Sequence, residues 1–352
     1  MFSYHARYMS QPSSFFKNDA GPSFRGSRTD ITPGSGAAPT PSPLTERFLA
    51  AFPTRKIAWR TSQLREAGFG DRHVKLLVAT GVLLRMRQGA YLRASYWAGL
   101  STAGRERTVI FMHSYGTNST SAAGFVYSHS SAARIHGLHL WQADTLIHVT
   151  QSNKPSSVGS DDQTCIHTVT LPSSDITMVG QTHVTTLERT VVDCCLTMPY
   201  KRALILTDHA LRMGASLDIL QDAADQLSRH RGVRNLRRVL AHADALSESP
   251  GETLTRDLLR ELNIETPTLQ HWIHTRAGNY RADFAWVEKR VVLEFDGKGK
   301  YFDYRPTDEA VFLERKRESA LLEAGWVVIR IQWKDLFNEA YFKAKVLAAL
   351  NR

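Results

Sequence analysis

The chain has little cysteine, fewer acids than bases and no long apolar run, and each shortage removes a class of protein. Its three cysteines are Cys165, Cys194 and Cys195, two of them adjacent and none in C-x-x-C spacing. That excludes a disulfide framework and a zinc knuckle, and it points to a reducing, cytoplasmic setting. No stretch approaches the ~18 uninterrupted apolar residues of a membrane span, so no membrane partner is expected. The opening Met1-Phe-Ser-Tyr-His-Ala-Arg7 lacks the charged-then-apolar layout of a signal peptide. Asp and Glu number 34 against 44 Lys and Arg, and the resulting charge of +10 favours a polyanionic partner. With 352 residues at 42% hydrophobic content, two or three domains with cores of their own are expected. Residues 1–44, rich in Ser, Gly, Pro and Thr, bury too little surface to offset their ordering entropy and are expected to be disordered.

Two short apolar segments near the C-terminus carry the densest chemistry. Tyr280-Arg-Ala-Asp283-Phe284 and Val291-Val-Leu-Glu294-Phe-Asp296-Gly-Lys298-Gly-Lys300-Tyr301 set three acids and two lysines at their ends. Alternation along 291–296 sends Glu294 and Asp296 to one face and Leu293 and Phe295 to the other. If the segments pair as strands, Asp283, Glu294 and Asp296 converge. Hard oxygen ligands on one side of an open site suit Mg²⁺ or Mn²⁺. The competing reading is a β-hairpin with a solvated acidic face. Upstream, Ser249-Pro250-Gly251-Glu252 has the form of a capping box, with Ser at N-cap, Pro at N1 and Glu at N3. Glu252 could serve a metal as well only by turning inward.

The D…ExDGxxK arrangement resembles the PD-(D/E)XK nuclease superfamily, in particular the DUF559 branch related to very-short-patch repair endonucleases. The likeness continues through Glu314-Arg-Lys316-Arg317-Glu318 and Leu321-Leu322-Glu-Ala-Gly325-Trp326-Val-Val-Ile329-Arg330, and spans residues 249–340. It implies metal-dependent phosphodiester hydrolysis with Asp283 and Glu294 as ligands and Glu252 recruited from the helix that opens the domain. It also implies a lysine that stabilises charge on the phosphate. This sequence departs from the plain motif: Asp296 stands where the superfamily has its lysine. Lys298 or Lys300 would supply the ammonium from the following turn, with Asp296 adding a ligand or positioning the lysine. Lys316 or Arg317 would be a phosphate contact.

Residues 45–95 give a second signal. A helix over 62–67 is stopped by Gly68, and Asp71 caps a second helix carrying Val74, Leu77 and Val78 at i, i+3, i+4 spacing. Two short strands then flank a Gln88-Gly89 turn. That is the order of a winged helix-turn-helix. From Arg55 to Arg93 nine basic residues meet two acids, Glu66 and Asp71, so the segment carries +7. The second helix would enter the major groove of duplex DNA with Arg72, His73 and Lys75 outward, and Arg85 and Arg87 on the wing would touch phosphates. Thr61-Ser-Gln-Leu64 and Gly81-Val-Leu-Leu-Arg-Met-Arg-Gln-Gly-Ala-Tyr91 resemble the N-terminal domain of AbiEi-type antitoxins. Those are winged-helix repressors of toxin–antitoxin operons of the abortive-infection class, and the resemblance implies a possible toxin partner.

In the middle, His129, His136, His139 and His148 lack the i, i+4 or knuckle spacing of a zinc site and read as packed or surface residues. The basic run Arg229–Arg238 reads as a helix laid on the core with its arginines outward. The expected fold is α+β and multidomain: a leader (1–44), a winged helix-turn-helix (45–95), a middle α/β module (96–245) and a PD-(D/E)XK-like α/β domain (246–352). The expected function is that of a metal-dependent DNA endonuclease guided by the winged helix. The alternative is an antitoxin-like DNA-binding transcriptional regulator whose nuclease fold is inactive.

Overall fold

The computed structural model describes residues 41–52, 55–116, 124–153, 162–297 and 308–352. It divides into two units, one reaching to Phe125 and the other formed by Val126–Arg352.

The first unit opens on α1 (Pro43–Ala51). Ser42 caps this helix, its Oγ accepting from the Thr45 amide, and Pro43 begins it where a missing N–H costs nothing. The helix thus begins inside the segment expected to be disordered; residues 1–40 lie outside the described residues. There follow β1 (Ala58–Arg60), α2 (Thr61–Glu66), α3 (Asp71–Ala79), β2 (Leu83–Arg87), β3 (Ala90–Arg93), α4 (Ala94–Ala98) and α5 (Thr102–Gly116). The three strands form an antiparallel sheet in the order β1-β3-β2. Asp71 does not cap α3: Gly70 occupies the N-cap, and the Asp71 carboxylate instead receives both nitrogens of Arg65. The core is aromatic, with Phe48, Phe52, Trp59 and Phe69 tilted edge to face at 5.0–5.8 Å. Val74, Leu77 and Leu83 close it from α3 and β2.

The second unit continues from β4 (Phe125–Tyr127) through α6 (His129–His136), β5 (Ile147–Gln151), β6 (Thr164–Thr168), β7 (Ile176–Val179) and β8 (Thr182–Thr185). These strands form one sheet in the order β6-β5-β4-β8-β7. Four helices follow: α7 (Leu187–Thr197), α8 (Tyr200–Arg212), α9 (Leu217–Gln226) and α10 (Val233–Leu240). They share an apolar core built on Val191, Leu204, Leu220 and Leu236. Only the second half of the basic run lies on a helix: Arg229 and Arg231 precede α10, which Gly232 caps. Arg234, Arg237 and Arg238 lie on it, with Leu236, Val239 and Leu240 inward and Arg238 stacked 3.7 Å over the Tyr200 ring.

Next come α11 (Pro250–Glu261), β9 (Thr268–Thr275), β10 (Gly278–Trp286), β11 (Val291–Asp296), α12 (Asp308–Glu323), β12 (Val327–Gln332), α13 (Trp333–Leu336) and α14 (Glu339–Leu350). The sheet order is β12-β11-β10-β9; β11 and β12 run parallel across the α12 crossover, and the other pairs are antiparallel. Val291 and Leu293 turn to the face covered by α11 and α14, while Val292 turns to the face where Leu321 of α12 packs. Ile205 of α8 lies in the same apolar cluster as α11 and this sheet. Asp208, also on α8, is buried and accepts from Thr253 and Arg256 of α11 at 2.8 and 2.7 Å. The protein is mixed α+β, with three sheets and fourteen α-helices among the described residues. None of those helices is long and apolar enough to cross a membrane.

Candidate functional site

The acids lie where the first turn of α11 meets β10 and β11. The Ser249 side chain caps α11, its Oγ accepting from the Glu252 amide at 3.2 Å. Gly251 sits against the Phe295 ring so closely that a Cβ would meet it at 1.9 Å, so a residue without a side chain lets the first turn of α11 settle on β11. Glu252 is thereby turned inward, only 8% exposed. Its Oε1 accepts from Ser249 Oγ at 2.7 Å, and its Oε2 accepts from the Glu248 amide and from Gln270 Nε2, both at 2.9 Å. The capping box is therefore shifted by one residue: the glutamate returns to the amide before the N-cap, not to that of Ser249.

Asp283 lies where the β9–β10 ladder is interrupted. Pairing holds on either side, at Ala282–His271 and Phe284–Leu269, but Gln270 between them has φ 50°, in the left-handed region. Asp283 Oδ2 accepts from the Phe295 amide at 2.9 Å, which ties it to the residue after Glu294. Glu294 points to the α12 face, where Arg317 Nη2 donates to its Oε1 and also to the Arg281 carbonyl at 3.0 Å. Arg281 in turn pairs with Glu248 at 2.8 Å. Burial raises the Asp283 carboxyl above its ordinary value, opposed by the Phe295 N–H and the Arg317 charge. Burial, with the Asp283 charge beside it, pushes Glu252 up to about 7.

Asp296 ends β11 on the Glu294 side, opposite Gln332 in the parallel register. Lys298 and Lys300 lie outside the described residues; among the described ones Arg317 is bonded to Glu294, and both Arg317 and Arg281 place positive charge near Asp283. The convergence of Asp283, Glu294 and Asp296 expected from strand alternation is not met: among the described residues these three do not bring one oxygen each within 4.8 Å of one another. Asp283 and Glu294 remain as two hard carboxylates on neighbouring strands, linked through the Phe295 amide. Gln270 and Arg281 were missing from the sequence reading. Nothing in their local spacing marks them, because both act through the β9–β10 pairing.

In the first unit, Arg72 and Lys75 are exposed on α3, and Arg85 is exposed on β2. His73 is half-buried with its ring edge-on to Phe69 at 6.4 Å, so it faces inward and not outward as the helical count implied. Arg87 is half-buried beyond a register shift that separates it from Arg85. Arg93 is inside: its guanidinium donates to the Phe52 and Lys56 carbonyls and lies over Trp59 at 5.4 Å.

A second group of chemistry-bearing residues lies apart from the acids. His129 on α6, His148 on β5 and His167 on β6 bring one ring nitrogen each within 4.8 Å of one another. His148 Nδ1 and His167 Nε2 are 2.9 Å apart, and His129 stacks on His167 at 3.6 Å. Burial holds His129 neutral down to about 2 and His167 down to about 4. The other two histidines weighed from sequence are packed: His136 bonds the Thr185 carbonyl at 2.7 Å, and His139 stacks on His209 at 3.7 Å. His167 escaped notice because only the parallel β5–β6 register brings it to His148.

No protein-family model matches the chain. Over 111 residues it is 32% identical to the uncharacterized protein YcjD of Escherichia coli K12, covering 88% of that protein and 28% of this chain. The chain belongs to the YcjD family. YcjD is itself described as uncharacterized, so family membership brings no activity with it. The RV2827C protein of Mycobacterium tuberculosis, known from a crystal structure, aligns with this YcjD-family chain at 16% identity and a TM-score of 0.36. That alignment covers 60% of this chain and 85% of the other.

Proposed function

We propose that this chain is a metal-dependent DNA endonuclease whose phosphodiester-cleaving centre is the carboxylate group at α11, β10 and β11. One observation carries the reading: Asp283 is bonded to the backbone beside Glu294, with inward-turned Glu252 behind it and Arg317 across from it. Asp283 and Glu294 would hold Mg²⁺ or Mn²⁺. Such an ion, when bound, supplies charge stabilisation to the phosphate and lowers the pKa of a coordinated water. Arg317 offers a fork-shaped donor set to a phosphate oxygen, exchanging its contact with Glu294 for one with substrate. Glu252, with a carboxyl near 7, can take up or release a proton at neutral pH, as a general base requires. The helix–helix–hairpin of the first unit would serve as a winged helix holding duplex DNA through Arg72, Lys75 and Arg85. Arg87 would play a lesser part.

The test is incubation of the purified chain with supercoiled plasmid in Mg²⁺, Mn²⁺ or EDTA. The expected outcome is metal-dependent nicking by the wild type and none by the Asp283→Ala/Glu294→Ala double variant. Cleavage by both would refute the assignment.

A second reading is favoured by two observations: Arg317 already neutralises Glu294, and Asp296 stands two residues after it in place of a lysine. Here the chain is an antitoxin-like DNA-binding regulator with an inactive nuclease fold and a toxin as its partner. Then neither protein would nick plasmid. Duplex binding would still depend on Arg72 and Lys75, each substitution to Ala lowering the salt slope by about one.

A further inference from the structure

We propose that His129, His148 and His167 form a binding site for a divalent transition-metal ion of the Zn²⁺ class, with a further coordination position open to the adjoining cavity. The inference is independent of the nuclease reading, since the acids there lie on other elements and offer only oxygen.

The geometry argues for it atom by atom. Nitrogens bound to one tetrahedral ion at ~2.0–2.1 Å lie about 3.3–3.4 Å apart. Here all three candidate atoms fall within 4.8 Å of one another, and one pair is at 2.9 Å. The rings are stacked nearly parallel, so an ion would be held by rotating them out of the stack toward a common centre. The free nitrogens are chosen by their neighbours. His148 Nε2 is bonded to Asp144 Oδ1 at 3.0 Å, which leaves Nδ1 facing His167. His129 Nδ1 is 2.9 Å from Ser128 Oγ, which leaves Nε2 for the centre. A carboxylate on the far nitrogen of a histidine is the arrangement that orients metal-binding imidazoles and raises their basicity.

Three further features fit. All three rings line one cavity of about 180 Å³, which Asp144 and Arg202 also border, so a fourth position has room for water or a small ligand. Three imidazoles with one open position are the ligand set of hydrolytic zinc centres, and imidazole favours Zn²⁺ and its neighbours over Mg²⁺. His129 also begins α6 with φ 49°, a conformation a side-chain-bearing residue adopts at a cost. Its ring stacks on that of His167. Cys165 Sγ, 3.6 Å from His167 Nε2, is a soft donor close at hand.

The experiment uses the full-length chain stripped with chelator. It is titrated with Co²⁺, read at the visible bands of a tetrahedral site, and with Zn²⁺, read by calorimetry. The wild type should take up one equivalent of either ion, and Mg²⁺ should not compete. His148→Asn and His167→Gln should lose that equivalent, with far-ultraviolet circular dichroism confirming that each still folds. Asp144→Asn leaves all three ligands in place and should weaken binding about 10–100-fold, so it carries the test if a histidine variant fails to fold. The Asp283→Asn/Glu294→Gln variant should bind Zn²⁺ as the wild type does. The proposal is overturned if the wild type takes up no Co²⁺ or Zn²⁺, if the folded histidine variants retain it, or if the carboxylate variant loses it.

Discussion

Glu252 shows how one side chain can close a helix start and lie beside a second acid at once. Burial and the Asp283 charge raise its carboxyl to about 7, so the folded chain binds this proton more tightly than the unfolded chain does. The stability it contributes is therefore full below the ordinary value of 4.5 and is lost as pH rises through about 7. Wild type should lose stability relative to Glu252→Gln across that window, as urea midpoints measured at a series of pH values will show. Added Mg²⁺ should reduce the loss if Asp283 and Glu294 take up a cation. Gly251 is the neighbouring constraint. Gly251→Ala would drive a methyl into the Phe295 ring and should cost about 1–3 kcal/mol, with a second change, Phe295→Leu, restoring part of it. A double-mutant cycle in denaturant checks both.

Among the elements, α3 and β11 were the most readable, and for the same reason: their periodicity is unambiguous. Val74 and Leu77 face the core as their spacing requires, and Val291, Val292 and Leu293 are all buried, as a strand covered on both faces must be. Glu294 shares the Asp296 face by simple alternation. What the sequence concealed depends on contacts between distant segments. Arg93 counted as one of nine basic residues of a DNA-facing surface, yet it is a buried strut at the end of β3. Arg93→Ala should destabilise the first unit by ~2–3 kcal/mol, through lost charged hydrogen bonds and aromatic contacts, as thermal unfolding will measure. His73 was misplaced because a helical count gives a face and not its limits, and Phe69 comes from the loop before α3 to cover the ring. Of the three-histidine group, spacing sets His129 and His148 aside as packed or surface residues and gives no sign of His167. The group needs α6 to cross the edge of a parallel pair whose strands are separated in sequence.

At the scale of the whole chain, acid should weaken the second unit before it touches most carboxylates. Burial depresses His139 to about 3 and His209 to about 4, each helped by the Arg212 charge, so both stay neutral in the folded state. Their contribution is present above the unfolded value of 6.5 and is lost as pH falls toward those values. His139→Phe keeps the stacked ring without the titration, and it should flatten the pH dependence of unfolding between 6.5 and about 3. The cohesion of this unit rests partly on Asp208, whose side chain is 1% exposed against 16% for Arg256. Arg256→Ala leaves that charge buried and should cost about 3–5 kcal/mol.

The same pair has a consequence for inheritance. Asp208 belongs to the middle helices, while Thr253 and Arg256 belong to the helix that carries Glu252. A recombination event that exchanged the C-terminal segment alone would strand a buried charge and uncover Ile205. The four-stranded C-terminal sheet and the helices before it can therefore be passed on only together. A donor segment could succeed only if it brought its own answer to Asp208.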